Sequence, residues 1–247
     1  MIKQLLDDAV AKYNHVDFIE NDPIQIPHRF SRKEDIEIAG FLSASIAWGQ
    51  RKTIIRNGWR LMERMDFAPY DFVKEEDDFS PFSDFVHRTF NGIDCQFFLK
   101  SLKNIYENHG GLEQVFTKGF QLDNTIFSAL KHFREVFLEM PHEVRTRKHV
   151  PDVSARSSAK RLNMFLRWMV RKDDTGVDFG LWKNIPPSAL MLPLDVHTGN
   201  VGRNLGLITR KQNDWKTVEE ITEVLRTFDA DDPIKYDFAL FGLGVNS

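Results

Sequence analysis

Leu162, Phe165, Leu166, Met169 and Val170 recur at i, i+3, i+4, i+7 and i+8, the spacing that stacks side chains on one face of an α-helix. The same period returns along most of the chain, whereas the alternation of a half-buried strand is nowhere sustained. An all-α fold is therefore expected. Ser31-Arg32-Lys33-Glu34 has the form of a capping box and leads into Ile36, Ile38, Ala39, Phe41, Leu42, Ile46, Ala47 and Trp48. Those apolar residues lie on nearly every face, and Gly40, Ser43, Ala44 and Ser45 between them allow close neighbours, so this helix should be central. Its pattern is expected to run on through Ile54, Ile55, Trp59, Leu61 and Met62 until Ala68-Pro69 breaks it. Further helices are predicted at Phe97 to Tyr106, Ile126 to Phe137, Ser157 to about Lys172, Asp195 to Gly206, and Asp214 to Leu225. A last one should begin at Asp232-Pro233, an N-cap aspartate followed by proline at N1.

A chain of 247 residues suits one large domain or two small ones and can bury a substantial core. Its single cysteine, Cys95, excludes an internal disulfide and any zinc or iron–sulfur site built on several cysteines. The opening segment MIKQLLDDAVAKY lacks an uninterrupted apolar run, and nothing approaches the roughly 18 consecutive apolar residues of a membrane span. A cytoplasmic protein without membrane association is expected. The net charge is only −3, yet it is unevenly spread. His142 to Lys172 carries nine Lys and Arg against two acids, while Glu63 to Arg88 carries eight acids against three bases.

Two segments carry the candidate chemistry. Lys160, Met164, Arg167 and Arg171 share one helix face, expected opposite the apolar stripe, in the same stretch as Arg145, Arg147, Lys148, Arg156 and Arg161. Such a face is either simply solvated or able to contact several phosphates. A lysine among cations also has its ammonium form disfavoured, one route to a nucleophilic amine. The second segment runs from Pro193 to Gly206 and contains Asp195 at the mouth of a helix. There an aspartate caps backbone N–H groups, and the same bonds keep its carboxylate ionised and available to a cationic transition state. Asp195 and His197 form only a two-ligand fragment, so His197 is read as structural, with no metal and no cofactor expected.

The segment LDVHTGNVGRNLG, Leu194 to Gly206, resembles the catalytic-aspartate motif of the helix-hairpin-helix DNA glycosylase superfamily. Asp195 matches the family aspartate, His197 its following histidine, Val201 the helix valine, Arg203 a helix arginine and Leu205-Gly206 the closing pair. Ile38 to Gln50 resembles the family's early helix, and Asp232 to Gly244 its closing one. Over nearly its whole length the chain also resembles a bacterial family of uncharacterised proteins with a glycosylase-like core. The superfamily's Leu-Pro-Gly-Val-Gly hairpin is replaced here by the residues from Val150 to Ala159. Lys160 is the closest equivalent of the Schiff-base lysine, 35 positions before Asp195, an arrangement similar to an archaeal 8-oxoguanine glycosylase branch.

The resemblance implies a two-lobed helical fold with a cleft between its lobes, residues 1–89 and 173–247 forming one and residues 90–172 the other. It implies a base-excision glycosylase and AP lyase acting on duplex DNA with a damaged base, an oxidised purine among the candidates, extruded into a pocket. Lys160 and Asp195 would be catalytic. Trp48, Gln50, Trp168 and Trp182 are candidate pocket residues, and Arg145, Arg147, Lys148, Ser157, Arg167 and Arg171 candidate contacts to the DNA backbone. A monomer is the favoured state. The rival readings are a helical DNA-binding protein that keeps this scaffold without catalysis, and a protein-interaction module.

Overall fold

The computed structural model describes residues 1–245, and the chain is mostly helical. In chain order the helices are α1 (Ile2–Tyr13), α2 (Asp17–Glu20), α3 (Lys33–Ser45), α4 (Arg51–Arg64), α5 (Pro69–Glu75) and α6 (Gly92–Asn108). They continue with α7 (Leu112–Phe120), α8 (Ile126–Phe137), α9 (Lys160–Val170), α10 (Val196–Asn204), α11 (Trp215–Phe228) and α12 (Tyr236–Val245). One small antiparallel hairpin, β1 (Val86–His87) with β2 (Phe90–Asn91), departs from the all-helical expectation. No helix among the described residues is long and apolar enough to cross a membrane.

Two compact units are formed, one by residues 21–151 and the other by residues 1–20 with those from 152 onward. The expected boundaries after residues 89 and 172 therefore move to 20 and 151. In consequence α9 belongs with the terminal segments, because the acids that pair with its arginines, Asp173, Asp178, Asp232 and Asp237, all follow it in the chain.

In the unit of residues 21–151, α3 begins with Arg32 as N-cap and no side-chain cap bond. The Ser31 to Glu34 box is not formed; Glu34 instead lies 3.4 Å from Arg32 Nε. Nor does α3 run into α4. Gly49 takes φ 105° between them, a left-handed conformation suited to glycine, and a Cβ there would come within 3.0 Å of Arg88 Cδ. A true capping box starts α6, where Asn91 N donates to Asp94 Oδ2 at 3.0 Å and Asp94 N to Asn91 Oδ1 at 3.5 Å. The core is a cluster of phenylalanines from α3, α6, α7 and α8. Phe137 is its hub, with ring centroids 5.3, 5.6, 4.8 and 5.2 Å from Phe41, Phe97, Phe98 and Phe133. Phe116 stacks on Phe133 at 4.4 Å, where Gly119 lets α7 approach α8 closely.

In the other unit α1 packs against α12, and α12 against α10. Tyr236 Oη donates to Asp7 Oδ1 at 2.8 Å, fastening the last helix to the first. The bare Cα of Gly202 allows α10 to meet Ile221 of α11, since a Cβ there would lie 2.9 Å from Ile221 Cδ1. Helix α9 is buried on every face from Leu162 to Val170.

Phe137→Ala should remove four ring contacts at once and cost about 3–5 kcal/mol. Urea denaturation should show a lower midpoint with an unchanged slope; a loss below about 1 kcal/mol would mean that the cluster closes over the gap.

Candidate active site

Lys160 is the first residue of α9, three positions later than its periodicity predicts. The delay comes from the preceding turn, in which Arg156 and Ala159 both hold left-handed backbone angles, φ 68° and φ 49°. Each such non-glycine residue costs on the order of 1–3 kcal/mol, so the surroundings must enforce it. Ser157 N donates to Asp152 O at 3.0 Å, and Trp215 N to Arg156 O at 3.2 Å, tying the turn to the start of α11. Ser157 Oγ accepts from Ala159 N at 3.2 Å, so this hydroxyl serves the turn itself.

Asp195 is the N-cap of α10, as its position in the sequence predicts, and its two oxygens have different work. Oδ1 accepts from Thr198 N at 2.9 Å, while Oδ2 lies 3.8 Å from Lys160 Nζ. Both side chains retain solvent access, 29% for Lys160 and 28% for Asp195. Asn213 Nδ2 donates to Asp195 O at 3.3 Å and its Oδ1 accepts from Arg203 Nη2 at 2.6 Å. A Cβ on Gly199 would come within 2.7 Å of that Asn213 oxygen, so glycine is required for this support. Arg203 also donates to the carbonyls of Arg210 and Lys211 at 2.7 and 2.9 Å, which commits it to the loop.

Arg167 and Arg171 do not form a solvated or phosphate-facing stripe. They are 4% and 2% exposed and are consumed by internal carboxylates. Arg167 pairs with Asp178 at 3.2 Å and with Asp237; Arg171 pairs with Asp173, Asp178 and Asp232 at 2.6, 2.9 and 3.0 Å. Both guanidiniums also lie against the Phe238 ring, 4.4 and 5.4 Å from its centroid. Trp168 and Trp182 are likewise core residues, 0% and 1% exposed. The helical period shows only that these positions share a face; the acids that make burial tolerable lie far away in sequence. Asp232 for the same reason is spent on Arg171 and makes no side-chain cap at its helix.

In the unit of residues 21–151, Trp48 is half-buried, with its ring 4.9 Å from His87 and 5.9 Å from His149. Gln50 beside it is exposed. Arg145 is fixed to the buried Asp94 at 3.0 Å and donates to Thr89 O at 3.1 Å, whereas Arg147 and Lys148 are exposed. Half-buried Arg161 has its guanidinium pulled down to about 10 by desolvation.

The residue that sequence reasoning misses is Asp237 on α12. Burial raises its carboxyl to about 6, outweighing the attraction of Arg167 and Lys160, and Asp195 adds to the rise. Asp173 shows the opposite balance. Burial opposes its ionisation, but bonds from Thr175 and Asn14 and the charge of Arg171 hold it at about 2. Nothing in a lone aspartate of an apolar helix distinguishes Asp237 in sequence. Among the described residues, no group of three or more His, Cys, Asp or Glu is arranged to hold a metal ion.

Because the folded state holds the Asp237 proton above the unfolded value of about 3.9, its contribution to stability falls as pH rises from about 4 to about 6. Asp173 acts in the opposite sense, its contribution being lost as pH falls from about 4 to about 2. Carboxyl-carbon NMR should show Asp237 titrating near 6, and Asp237→Asn should flatten the decline in stability between about pH 4 and 6. A midpoint below about 4 would mean that pairing with Arg167 outweighs burial.

No curated protein and no solved structure matches the chain. Residues 22–246 match a family described as "Protein of unknown function (DUF2400)". That match spans nearly the whole sequence, and the chain belongs to this family.

Proposed function

We propose that the protein is a DNA base-excision glycosylase with lyase activity, using Lys160 as nucleophile and Asp195 as its electrostatic partner. The observation that carries this reading is the 3.8 Å approach of Lys160 Nζ to Asp195 Oδ2 with both groups partly open to solvent. The resemblance of Leu194 to Gly206 to the glycosylase aspartate motif supports it.

The amine of Lys160, its proton passed to Asp195, attacks C1′ of a nucleotide turned out of the duplex. The C1′–N bond breaks, its electron pair leaves with the base, and Asp195 hands the proton taken from Lys160 on to that base, which restores its carboxylate. The carboxylate of Asp195 faces the positive charge that develops on the sugar while its other oxygen stays anchored at Thr198 N. As C1′–O4′ breaks, O4′ takes up a proton from the new ammonium and a protonated imine forms between Lys160 and C1′; the Asp195 carboxylate then takes a C2′ proton, and the electron pair of that C–H bond forms C2′=C3′ and expels the 3′ phosphate. Arg147 and Lys148, exposed on the unit of residues 21–151, contact the DNA backbone without reading sequence. Arg167, Arg171, Trp168 and Trp182 take no part in binding, since each is buried.

Incubation with duplexes carrying oxidised, alkylated or deaminated bases in the presence of borohydride should trap a covalent adduct at Lys160. Lys160→Ala should abolish trapping, and Asp195→Asn should slow base release about 10²–10³-fold. Absence of both trapping and base release across the panel overturns the enzymatic reading; salt-dependent duplex binding that survives both substitutions would favour a non-catalytic DNA-binding protein.

Replacing Arg147 and Lys148 together by alanine should flatten the log–log salt dependence of duplex affinity by about 1.8, about 0.9 for each lost phosphate contact. An unchanged slope would remove both side chains from the interface.

A further inference from the structure

In the unit of residues 21–151 the fully buried carboxylate of Asp94 gathers three residues of one short helical turn, Val144–His149. Arg145 Nη1 lies 3.0 Å from Asp94 Oδ2, Thr146 Oγ1 donates to Oδ1 at 2.7 Å, and His149 Nε2 stands 3.3 Å from Oδ2. Arg134 holds the same turn through its backbone, Nη1 donating to the carbonyl of Arg147 at 3.3 Å and to that of Val150. With residues 145, 146 and 149 committed to Asp94, the exposed members of the turn are Val144, Arg147 and Lys148, and Val144 is 78% exposed. An apolar side chain is thus held in water on a turn fixed from within.

The hairpin of β1 and β2 extends this face. Arg145 Nη1 also donates to Asn91 Oδ1 at 3.1 Å and Nη2 to Thr89 O at 3.1 Å, which ties the turn to the hairpin. There Val86, paired across the hairpin with Asn91, is 55% exposed, and Ile93, just before Asp94, is 48% exposed. Arg88 at the tip is exposed, holds φ 56° and lays its side chain against Gly49. Neither Arg88 nor Lys148 has an acid partner among the described residues, and Arg147 donates from Nε to His142 Nε2 at 2.8 Å. Between residues 142 and 150 the single acid, Glu143, stands against Arg145, Arg147 and Lys148. Exposed apolar side chains rimmed by cations mark a surface built for a partner, and the cations require that partner to be anionic.

Resting on the reading that this protein binds duplex DNA, we propose that Val144 is a wedge that enters a base step while Arg88, Arg147 and Lys148 hold the flanking phosphates. An apolar side chain among phosphate-binding cations is the arrangement by which minor-groove proteins unstack a step and kink the duplex. The phosphate contacts supply the affinity, and the wedge uses part of it to open the stack. Val86 and Ile93 extend the apolar surface offered to the opened step. The frame around Asp94 spares the cost of ordering the turn on binding. A membrane surface is disfavoured as partner, because its binders present Trp, Phe and Leu from an extended helix face, whereas these are two valines and an isoleucine on short turns and a helix start.

The test uses the full chain carrying Lys160→Ala, so that binding is read without chemistry, and a duplex containing 2-aminopurine, whose fluorescence rises when its stacking is lost. Saturating protein should raise the fluorescence. Val144→Ser in the same background should remove most of that rise while changing affinity by less than about threefold, since the substitution is at an exposed position and the phosphate contacts remain. Arg88→Ala should flatten the log–log salt dependence of affinity by about 0.9 and leave the rise at saturation in place. A rise lost in Val144→Ser, together with no borohydride trapping by the unsubstituted chain, would sink the enzymatic reading and leave the wedge standing; trapping with an equal rise in Val144→Ser would do the reverse. Absence of duplex binding, binding without a rise, or capture of phosphatidylserine vesicles in place of the duplex overturns the proposal.

Discussion

The arginine pair of α9 governs the unit that holds the candidate active site. Arg167 and Arg171 lie one turn apart, and the acids they engage come from the segment after α9, the turn before α12 and α12 itself. A planar guanidinium with five donors can serve several carboxylates at once, which an ammonium does less well. Removing one arginine would leave buried acids uncompensated, a loss of about 3–5 kcal/mol, whereas an apolar replacement of the entire set could be nearly neutral. The lattice therefore fixes a particular arrangement of α9 and α12 more than it adds stability. Because α9 begins at Lys160, that arrangement also fixes the backbone from which the Lys160 amine extends.

Two guanidiniums facing four acids leave an excess of negative charge, and the structure relieves it in two ways. Asp237 holds its proton to higher pH, and Lys160 contributes an attractive charge from the end of the same helix. The lysine is thus electrostatically joined to the buried lattice as well as to Asp195. Its ammonium stands 3.8 Å from the partly exposed Asp195 carboxylate and also acts on the buried Asp237, favouring the ionised form that burial opposes.

What was legible in the sequence follows from the range of each interaction. The caps at Asp195 and Asp214 involve partners three residues away and were readable in place. The division of Asp195 into a capping oxygen and a lysine-facing oxygen was not, since it requires α9 and α10 to be brought together. The continuous helix expected from Ser31 to Met62 was interrupted because Gly49 yields to a neighbour, Arg88, that lies 39 positions later. The polar face of α9 misled for the same reason. Period locates a stripe of arginines but not the four aspartates that bury it, whereas Arg147 and Lys148 of the same basic stretch lie exposed. Trp48 shows the intermediate case: its half-open position follows from the end of α3, while the flanking histidines come from distant turns.

The energetics of the Lys160 and Asp195 pair argue against a purely structural origin. Partly exposed ion pairs contribute only about 0–1 kcal/mol, since solvent screens them and two side chains lose freedom. Yet the turn that presents Lys160 holds two non-glycine residues in left-handed conformations, at a cost of about 1–3 kcal/mol each. The turn is held by the bonds from Ser157 N to Asp152 O, from Trp215 N to Arg156 O and from Ala159 N to Ser157 Oγ. Asp195, for its part, is already satisfied as a cap through one oxygen and needs no ammonium to complete that role. A left-handed turn upstream of the lysine, a supporting asparagine behind the aspartate and a glycine that admits it all bear on the placement of this one pair. That arrangement is compatible with the proposed role of Lys160 and Asp195 as a preorganised reacting pair.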